Sequence, residues 1–112
     1  MNKKVIKPSK KADEEFFGLL TSKIAKGDYF FSKHARQRQK DRIITDLEAL
    51  NILEGRDGRK RRRNKSKDKF EAGREDWNYC IEGINLDNEK IRIIISFAEG
   101  QVPIITIMWI NK

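Results

Sequence analysis

The sequence predicts an α+β domain in which N-terminal helices pack on a C-terminal antiparallel sheet of three to four strands. Apolar residues recur at helical spacing as far as residue 54, and they alternate with period two from residue 77 onward. The chain has 112 residues, enough for one modest hydrophobic core. We therefore expect a single domain over residues 12–112, preceded by a disordered basic arm at residues 1–11.

Charge is unevenly distributed along the chain, whose formal net charge is +8. Residues 56–69 contain nine Lys or Arg and two Asp, a net charge of +7. Residues 1–11 contain five Lys and no acid, so the remainder carries a net charge of −4. A basic balance of this size favours a polyanionic partner, with nucleic acid ahead of an anionic membrane.

The first helix is predicted to begin at Asp13, an N-cap candidate followed by two further acidic residues in the first turn. Gly27 is its expected end. Its apolar residues recur at helical spacing and are Phe16, Phe17, Leu20 and Ile24.

A later helix is predicted from a capping box, in which Thr45 and Glu48 satisfy each other's free backbone N–H groups. Gly55 is its expected end. Its expected inward residues are Leu47, Leu50 and Leu53. Residues 56–69 follow without a hydrophobic period, so we expect a basic loop there, or an edge strand whose charges discourage aggregation.

The C-terminal half has the alternation of strands. One predicted strand contains Trp77, Tyr79 and Ile81 at alternate positions. A second predicted strand places four apolar residues on one face: Ile91, Ile93, Ile95 and Phe97. Glu82 is expected to pair across the strands with Arg92 or with a lysine. Residues 98–101 predict a hairpin connection, and residues 102–110, apolar on both faces, predict a central strand.

Residues 31–42 contain the only histidine of the chain, His34, and five further basic side chains. Ser32 is a natural N-cap for a helix here, and it places Lys33 and His34 in the first turn. Free backbone N–H groups and the helix dipole attract anions at that position. Almost no residue of this helix is apolar, so we expect a phosphate partner rather than core packing.

His34, Arg38 and Arg42 are spaced four residues apart and share a helix face. A reaction at a bound phosphate requires proton transfer and stabilisation of extra charge on phosphorus. A histidine can transfer the proton near neutral pH, and arginines offer planar, bidentate donors to the phosphate. Arg92 is a weaker candidate for the same catalytic cluster, and Arg36 faces another way.

The pattern Ser32-x-His34-Ala35-x-x-Arg38-x-x-x-Arg42-Ile43 resembles the S/T-x-H-A-x-x-R-x-x-x-R-G-I core of a family of small bacterial domains of poorly defined function. The other matching positions are Gly55, Tyr79, Gly83, residues 93–96 and residues 105–107. The chain departs from the family in lacking Gly just after Arg42 and in its basic insertion before Trp77.

That family is similar to the metal-independent ribonuclease toxins of the RelE, barnase and colicin type. The resemblance implies helices packed on one face of an antiparallel sheet. It also implies a toxin of a toxin–antitoxin module, with RNA as substrate, an antitoxin protein as partner, and neither metal nor cofactor. Cleavage of RNA without a metal uses the 2′-hydroxyl as nucleophile, and the resemblance assigns the proton transfer to His34 and the phosphate contacts to Arg38 and Arg42.

Plainer interpretations stay open. His34 could be a structural or merely exposed histidine, and Trp77 and Tyr79 could pack in the strand rather than stack on bases. The basic run could contact phosphates or form a solvated loop; it consists of Arg59, Lys60, Arg61, Arg62 and Arg63. At the level of function, the alternatives are a non-catalytic nucleic-acid-binding module and an interaction protein for an acidic partner.

A cytoplasmic location without membrane contact is expected. Cys80 is the single cysteine, so no internal disulfide can form. Residues 102–110 are the longest apolar run, about half of the ~20 residues needed to cross a bilayer. No apolar segment of the signal-peptide kind follows the basic N-terminus.

Overall fold

The computed structural model describes residues 7–55 and 60–110. Its helices are α1 (Asp13–Lys26), α2 (Lys33–Arg42) and α3 (Asp46–Glu54), with a short 3-10 helix at Lys65–Lys67. Its strands are β1 (Tyr29–Phe31), β2 (Arg61–Arg63), β3 (Tyr79–Ile84), β4 (Lys90–Ile95) and β5 (Val102–Trp109). Every helix within these two described ranges is too short or too polar to span a membrane.

The strands form one mixed sheet in the order β1-β5-β4-β3-β2. Strands β2 to β5 pair antiparallel, whereas β1 runs parallel to β5. The predicted α+β class is confirmed, and residues 102–109 form a central strand as expected. The predicted antiparallel sheet of three to four strands is wrong in size and in omitting the parallel strand. Because β1 has three residues, it is too short to show an alternation pattern.

All three helices contribute to one core on one face of the sheet. The helical core residues are Phe16, Leu20, Ile24, Ala35, Ala49, Ile52 and Leu53. The strand residues facing them include Tyr79, Ile81, Ile91, Ile93, Ile95, Ile104 and Ile107. Because side chains alternate along a strand, the residues between these positions point to the opposite face, which we call the outer face. It carries Arg62, Glu82, Arg92 and Met108 in one cross-strand row.

Gly83 lies on the helix side of β3, where α3 approaches the sheet closely. A Cβ atom at this position would lie 2.6 Å from Cγ2 of Ile52, closer than two such atoms can pack. The absence of a side chain therefore lets α3 contact the strand.

Helix α1 begins at Asp13 as predicted, but Asp13 is not its N-cap. Ala12 occupies the cap position and makes no side-chain hydrogen bond. The Asp13 carboxylate instead lies 2.9 Å from Arg63 and 3.1 Å from Lys65. The hydrogen bond from Lys65 lowers the pKa of Asp13. The predicted end is confirmed, because Gly27 adopts the left-handed conformation with φ 78°.

The capping box of α3 is confirmed. The Thr45 hydroxyl accepts a hydrogen bond from the Glu48 N–H at 3.1 Å, and the Glu48 carboxylate accepts one from the Thr45 N–H at 3.0 Å. The inward orientation predicted for Leu47 is wrong, because this side chain is 64% exposed. The buried stripe consists of Ala49, Ile52 and Leu53, so Leu47 points to the solvent side of the helix.

The predicted basic loop at residues 56–69 is only partly a loop. Residues 61–63 form the edge strand β2, as the alternative interpretation expected, and Lys65–Lys67 form a 3-10 helix. Residues 56–59 lie outside the described residues.

The predicted disordered arm is wrong for residues 8–11, which pack on the domain. The Trp77 indole donates a hydrogen bond to the Pro8 carbonyl at 2.6 Å, and the Lys11 N–H donates one to the Tyr79 hydroxyl at 3.1 Å. Lys11 also forms an ion pair with Asp76 at 3.3 Å. Residues 1–6 lie outside the described part of the chain.

Candidate active site at the start of helix α2

Ser32 fixes the start of α2 on the sheet. Its hydroxyl accepts a hydrogen bond from the Ala35 N–H at 3.0 Å, which confirms the predicted N-cap. The same hydroxyl donates to the Ile105 carbonyl at 2.9 Å, and the Ser32 N–H donates to the Ile104 carbonyl at 2.9 Å. Two hydrogen bonds of Ser32 therefore hold the first turn of α2 against β5, and the third caps the helix.

His34 lies in this first turn and is exposed to solvent. One turn later, Arg38 Nε lies 3.4 Å from His34 Nε2 and donates to it. This distance is at the long end for a hydrogen bond. The predicted shared face of His34 and Arg38 is confirmed.

The start of α2 is electropositive. Lys33 is exposed beside His34, and Arg38 adds a guanidinium one turn later. No ion pair joins Lys33, His34 or Arg38 to a carboxylate in the part of the chain that the structure describes. The helix dipole adds positive potential at the same end. A phosphate placed here would meet cations that are not already paired with a described carboxylate.

Arg42, at the end of α2, is bound to strand β5. Its Nη1 donates to the Ile107 carbonyl in β5 at 2.9 Å, and its own carbonyl accepts a hydrogen bond from the Trp109 indole at 2.9 Å. The guanidinium is thus directed toward the sheet rather than toward the His34 ring. Of the three side chains predicted to share one helix face, His34 and Arg38 lie together, and Arg42 at the end of the helix does not join them.

Arg36 faces away from His34, as its position on the helix predicted. It lies 2.5 Å from Asp46, and its guanidinium stacks 4.0 Å from the Phe31 ring centre. Burial alone would raise the pKa of Asp46, but hydrogen bonds from Gln39 and Arg36 outweigh it and lower that pKa. Arg36 therefore joins α2 to the start of α3 and is not available to a ligand at His34.

Arg92, the fourth predicted catalytic residue, lies on the outer face of β4. Its Nε and Nη2 donate to one Glu82 oxygen at 2.9 and 2.8 Å. The predicted cross-strand pairing of Glu82 with Arg92 is confirmed. No described contact brings Arg92 to His34, because its strand position turns it away from the face that the helices cover.

The predicted nucleic-acid-binding run divides between the two faces of the sheet. Arg61 points to the helix side, where it donates to the Thr21 hydroxyl at 2.7 Å and to the Leu53 carbonyl. Arg63 also lies on the helix side, over the Phe16 ring and bound to Asp13. Arg62 lies on the outer face, Lys60 is exposed near it, and Arg59 lies outside the described residues.

Sequence reasoning missed the role of Asn64, whose amide donates to Glu82 at 3.1 Å. The signal was weak, because Asn64 follows a three-residue strand whose register is not readable from the sequence.

Cys80 is buried, and burial raises its pKa to about 11, so its thiol is protonated at neutral pH. Among residues 7–55 and 60–110, no three His, Cys, Asp or Glu side chains cluster as metal ligands would.

Comparison with family models, with curated proteins and with solved structures gives no match.

Proposed function

We propose that the protein is a metal-independent endoribonuclease in which His34 transfers a proton and Arg38 stabilises charge on the scissile phosphate. The observation that carries this proposal is an exposed His34 ring with the Arg38 guanidinium 3.4 Å away. His34 lies in the first turn of a helix that Ser32 fixes to the sheet, and Arg38 lies one turn further along it. Histidine is the side chain whose ordinary pKa suits proton transfer at neutral pH.

In the proposed reaction, the 2′-hydroxyl oxygen attacks the adjacent phosphorus and the bond from phosphorus to the 5′-oxygen of the next nucleotide breaks. His34 serves in one of two roles. As general base it accepts the 2′-hydroxyl proton, and water protonates the departing 5′-oxygen. As general acid it protonates the departing 5′-oxygen, and water accepts the 2′-hydroxyl proton. The products are a 2′,3′-cyclic phosphate and a 5′-hydroxyl. A positioned acid or base contributes about 10²–10⁴-fold to such a rate.

Two further arginines have different places in this proposal. Arg42 has a structural part, because its guanidinium is bound to the Ile107 carbonyl and holds the end of α2 against β5. Arg92 has no catalytic part, because Glu82 holds it on the outer face.

The test is cleavage of a DNA oligonucleotide that contains a single ribonucleotide, in excess EDTA. We expect one cut after the ribonucleotide, a cyclic phosphate end, and no cut in the all-DNA strand. His34→Ala should be at least a hundredfold slower with an unchanged circular dichroism spectrum. Lys40→Ala, which removes an exposed cation from the same helix, is the matched control and should keep the wild-type rate. Loss of cleavage in EDTA, or full cleavage by His34→Ala, would refute the proposal.

We also propose that the nuclease is a toxin held by an antitoxin protein, as the family resemblance implies. Induced expression should then arrest growth with loss of intact RNA, and His34→Ala should not. RNA binding without cleavage or growth arrest would instead assign a non-catalytic nucleic-acid-binding module.

A further inference from the structure

The outer face of the sheet carries two cavities that meet at Arg92. The larger has a volume of about 590 Å³ and lies between the start of β2 and the start of β4. The smaller has a volume of about 300 Å³ and lies beside the segment that follows the 3-10 helix. Because Arg92 lines both, the two cavities are adjacent on the face opposite the helices, and together we call them the groove.

The centre of this groove is a built cluster rather than a set of loose surface charges. Glu82 is 6% exposed and accepts hydrogen bonds from Arg62 at 2.7 Å, from Asn64 at 3.1 Å, and from Arg92 at 2.8 and 2.9 Å. One buried carboxylate thus holds two guanidinium groups in fixed positions. A ligand at the groove meets these cations already oriented.

The rim of the groove is basic at both ends. Exposed lysines line it beyond the central cluster: Lys60 and Lys90 at one end, Lys67 and Lys69 at the other. In the described ranges, none of these four is within ion-pair distance of a carboxylate. Arg61 also lines the groove, but its guanidinium points to the helix side. On the outer face, Arg62 and Arg92 bring the cations to six against the single acid Glu82, a net charge of +5.

The floor of the groove is aliphatic. Its apolar residues are Ile84, Ile94, Met108 and Ile110, all half-buried. No aromatic ring lies among the described lining residues. A partner that fits must therefore place anions along the rim and weakly polar groups on the floor.

We propose that this groove binds single-stranded nucleic acid, with its phosphates on the rim and its unpaired bases on the floor. The proposal rests on the proposed function in one respect, that RNA is the natural ligand, and it assigns a binding track separate from His34. A nucleic acid strand repeats its charge at every nucleotide, which suits a row of cations. An acidic polypeptide would need its acids spaced to match that row. Paired bases cannot reach the floor, so a single strand is favoured over a duplex.

The experiment measures binding of a fluorescein-labelled 12-nucleotide 2′-O-methyl oligo(U), which a 2′-hydroxyl mechanism cannot cleave. Anisotropy titrations over a range of salt concentrations compare wild type with the double variant Lys67→Ala/Lys90→Ala. We expect the variant to bind at least tenfold more weakly at low salt. Its slope of log affinity against log salt should fall by about 1.4, since each phosphate contact on a single strand contributes about 0.7.

One control separates the groove from total charge. Lys26→Ala/Lys40→Ala removes the same charge from exposed positions outside the groove, so its affinity should stay within threefold of wild type. If binding depends on the groove but cleavage is absent, the proposed ribonuclease activity fails and this inference stands.

Three results would overturn the inference whatever the outcome of the cleavage assay. The first is equal binding by wild type and the groove variant. The second is equal binding of a duplex of the same length. The third is equal competition by poly-L-glutamate of matched charge, which would assign the groove to an acidic polypeptide instead.

Discussion

Replacing Glu82 with glutamine is expected to destabilise the fold at neutral pH. The carboxylate accepts four hydrogen bonds, from Arg62, from Asn64 and twice from Arg92. Glutamine keeps the shape of the side chain but removes the charge. Its amide nitrogen is a hydrogen-bond donor. Where that nitrogen replaces a carboxylate oxygen, the guanidinium N–H groups lose their acceptor.

The size of the effect follows from how exposed the partners are. Removing one member of a fully buried ion pair costs about 3–5 kcal/mol, because the other charge is left without a partner. The Arg92 side chain is 21% exposed, whereas the Arg62 side chain is 74% exposed and water can solvate it. Because water solvates Arg62 and glutamine retains one oxygen acceptor, we expect the free energy of unfolding to fall by less than this, about 2–3 kcal/mol. For a chain of this length that lowers Tm by about 8–12 °C.

The effect should depend on pH. Burial alone would raise the pKa of Glu82, but hydrogen bonds from Asn64, Arg92 and Arg62 outweigh burial and lower that pKa. A carboxyl with a lowered folded-state pKa stabilises the fold above its unfolded pKa, about 4.3 for glutamate. It loses that contribution as the pH falls through its folded pKa. The difference between wild type and Glu82→Gln should therefore be full at pH 7 and shrink below about pH 4.

Urea unfolding, followed by the fluorescence of Trp77 and Trp109, gives the free energy of unfolding at each pH. Glu99→Gln is the control, because Glu99 is exposed in the β4–β5 turn and should change stability by less than about 0.5 kcal/mol. Equal stability of Glu82→Gln and wild type at pH 7 would refute the reasoning. So would a difference that stays constant from pH 7 to pH 3.

Three further substitutions test the fold. Gly83→Ala places a Cβ 2.6 Å from Ile52 and should cost about 1–3 kcal/mol in urea unfolding; an unchanged midpoint would show that α3 does not pack as described. Ile43→Gly should stabilise by about 0.5–1 kcal/mol, because Ile43 has φ 55° and is 82% exposed, and a lowered Tm would contradict this. Ser32→Ala should cost about 1–2 kcal/mol by removing the N-cap and the bond to Ile105, and a calorimetric Tm equal to wild type would argue against that anchor.

Local chemistry was readable from the sequence. The caps at Ser32 and Thr45 and the helix end at Gly27 depend on residues within one turn, so spacing alone located them. The His34–Arg38 pair is of the same kind, because residues four apart on a helix are neighbours.

Features that depend on distant residues were not readable. Arg42 binds the Ile107 carbonyl, 65 residues away, and residues 8–11 bind Trp77 and Tyr79. The alternation of Ile91, Ile93 and Ile95 placed Arg92 on the opposite face of β4, but its separation from His34 depends on the packing of α2 on the isoleucine side of the sheet. Strand β1 needed the position of β5 to be recognised, because it pairs parallel with a strand more than 70 residues later.

The central claim is that His34 and Arg38 act together on one phosphate, and a double-mutant cycle in single-turnover cleavage tests it most directly. The measurement uses EDTA and the oligonucleotide with one ribonucleotide, with His34→Ala, Arg38→Ala and the double variant. We expect the double variant to cleave within about threefold of His34→Ala, because losses from groups acting as a unit do not multiply. A double-variant loss equal to the product of the two single losses would contradict joint action, and wild-type cleavage by His34→Ala would contradict the account as a whole.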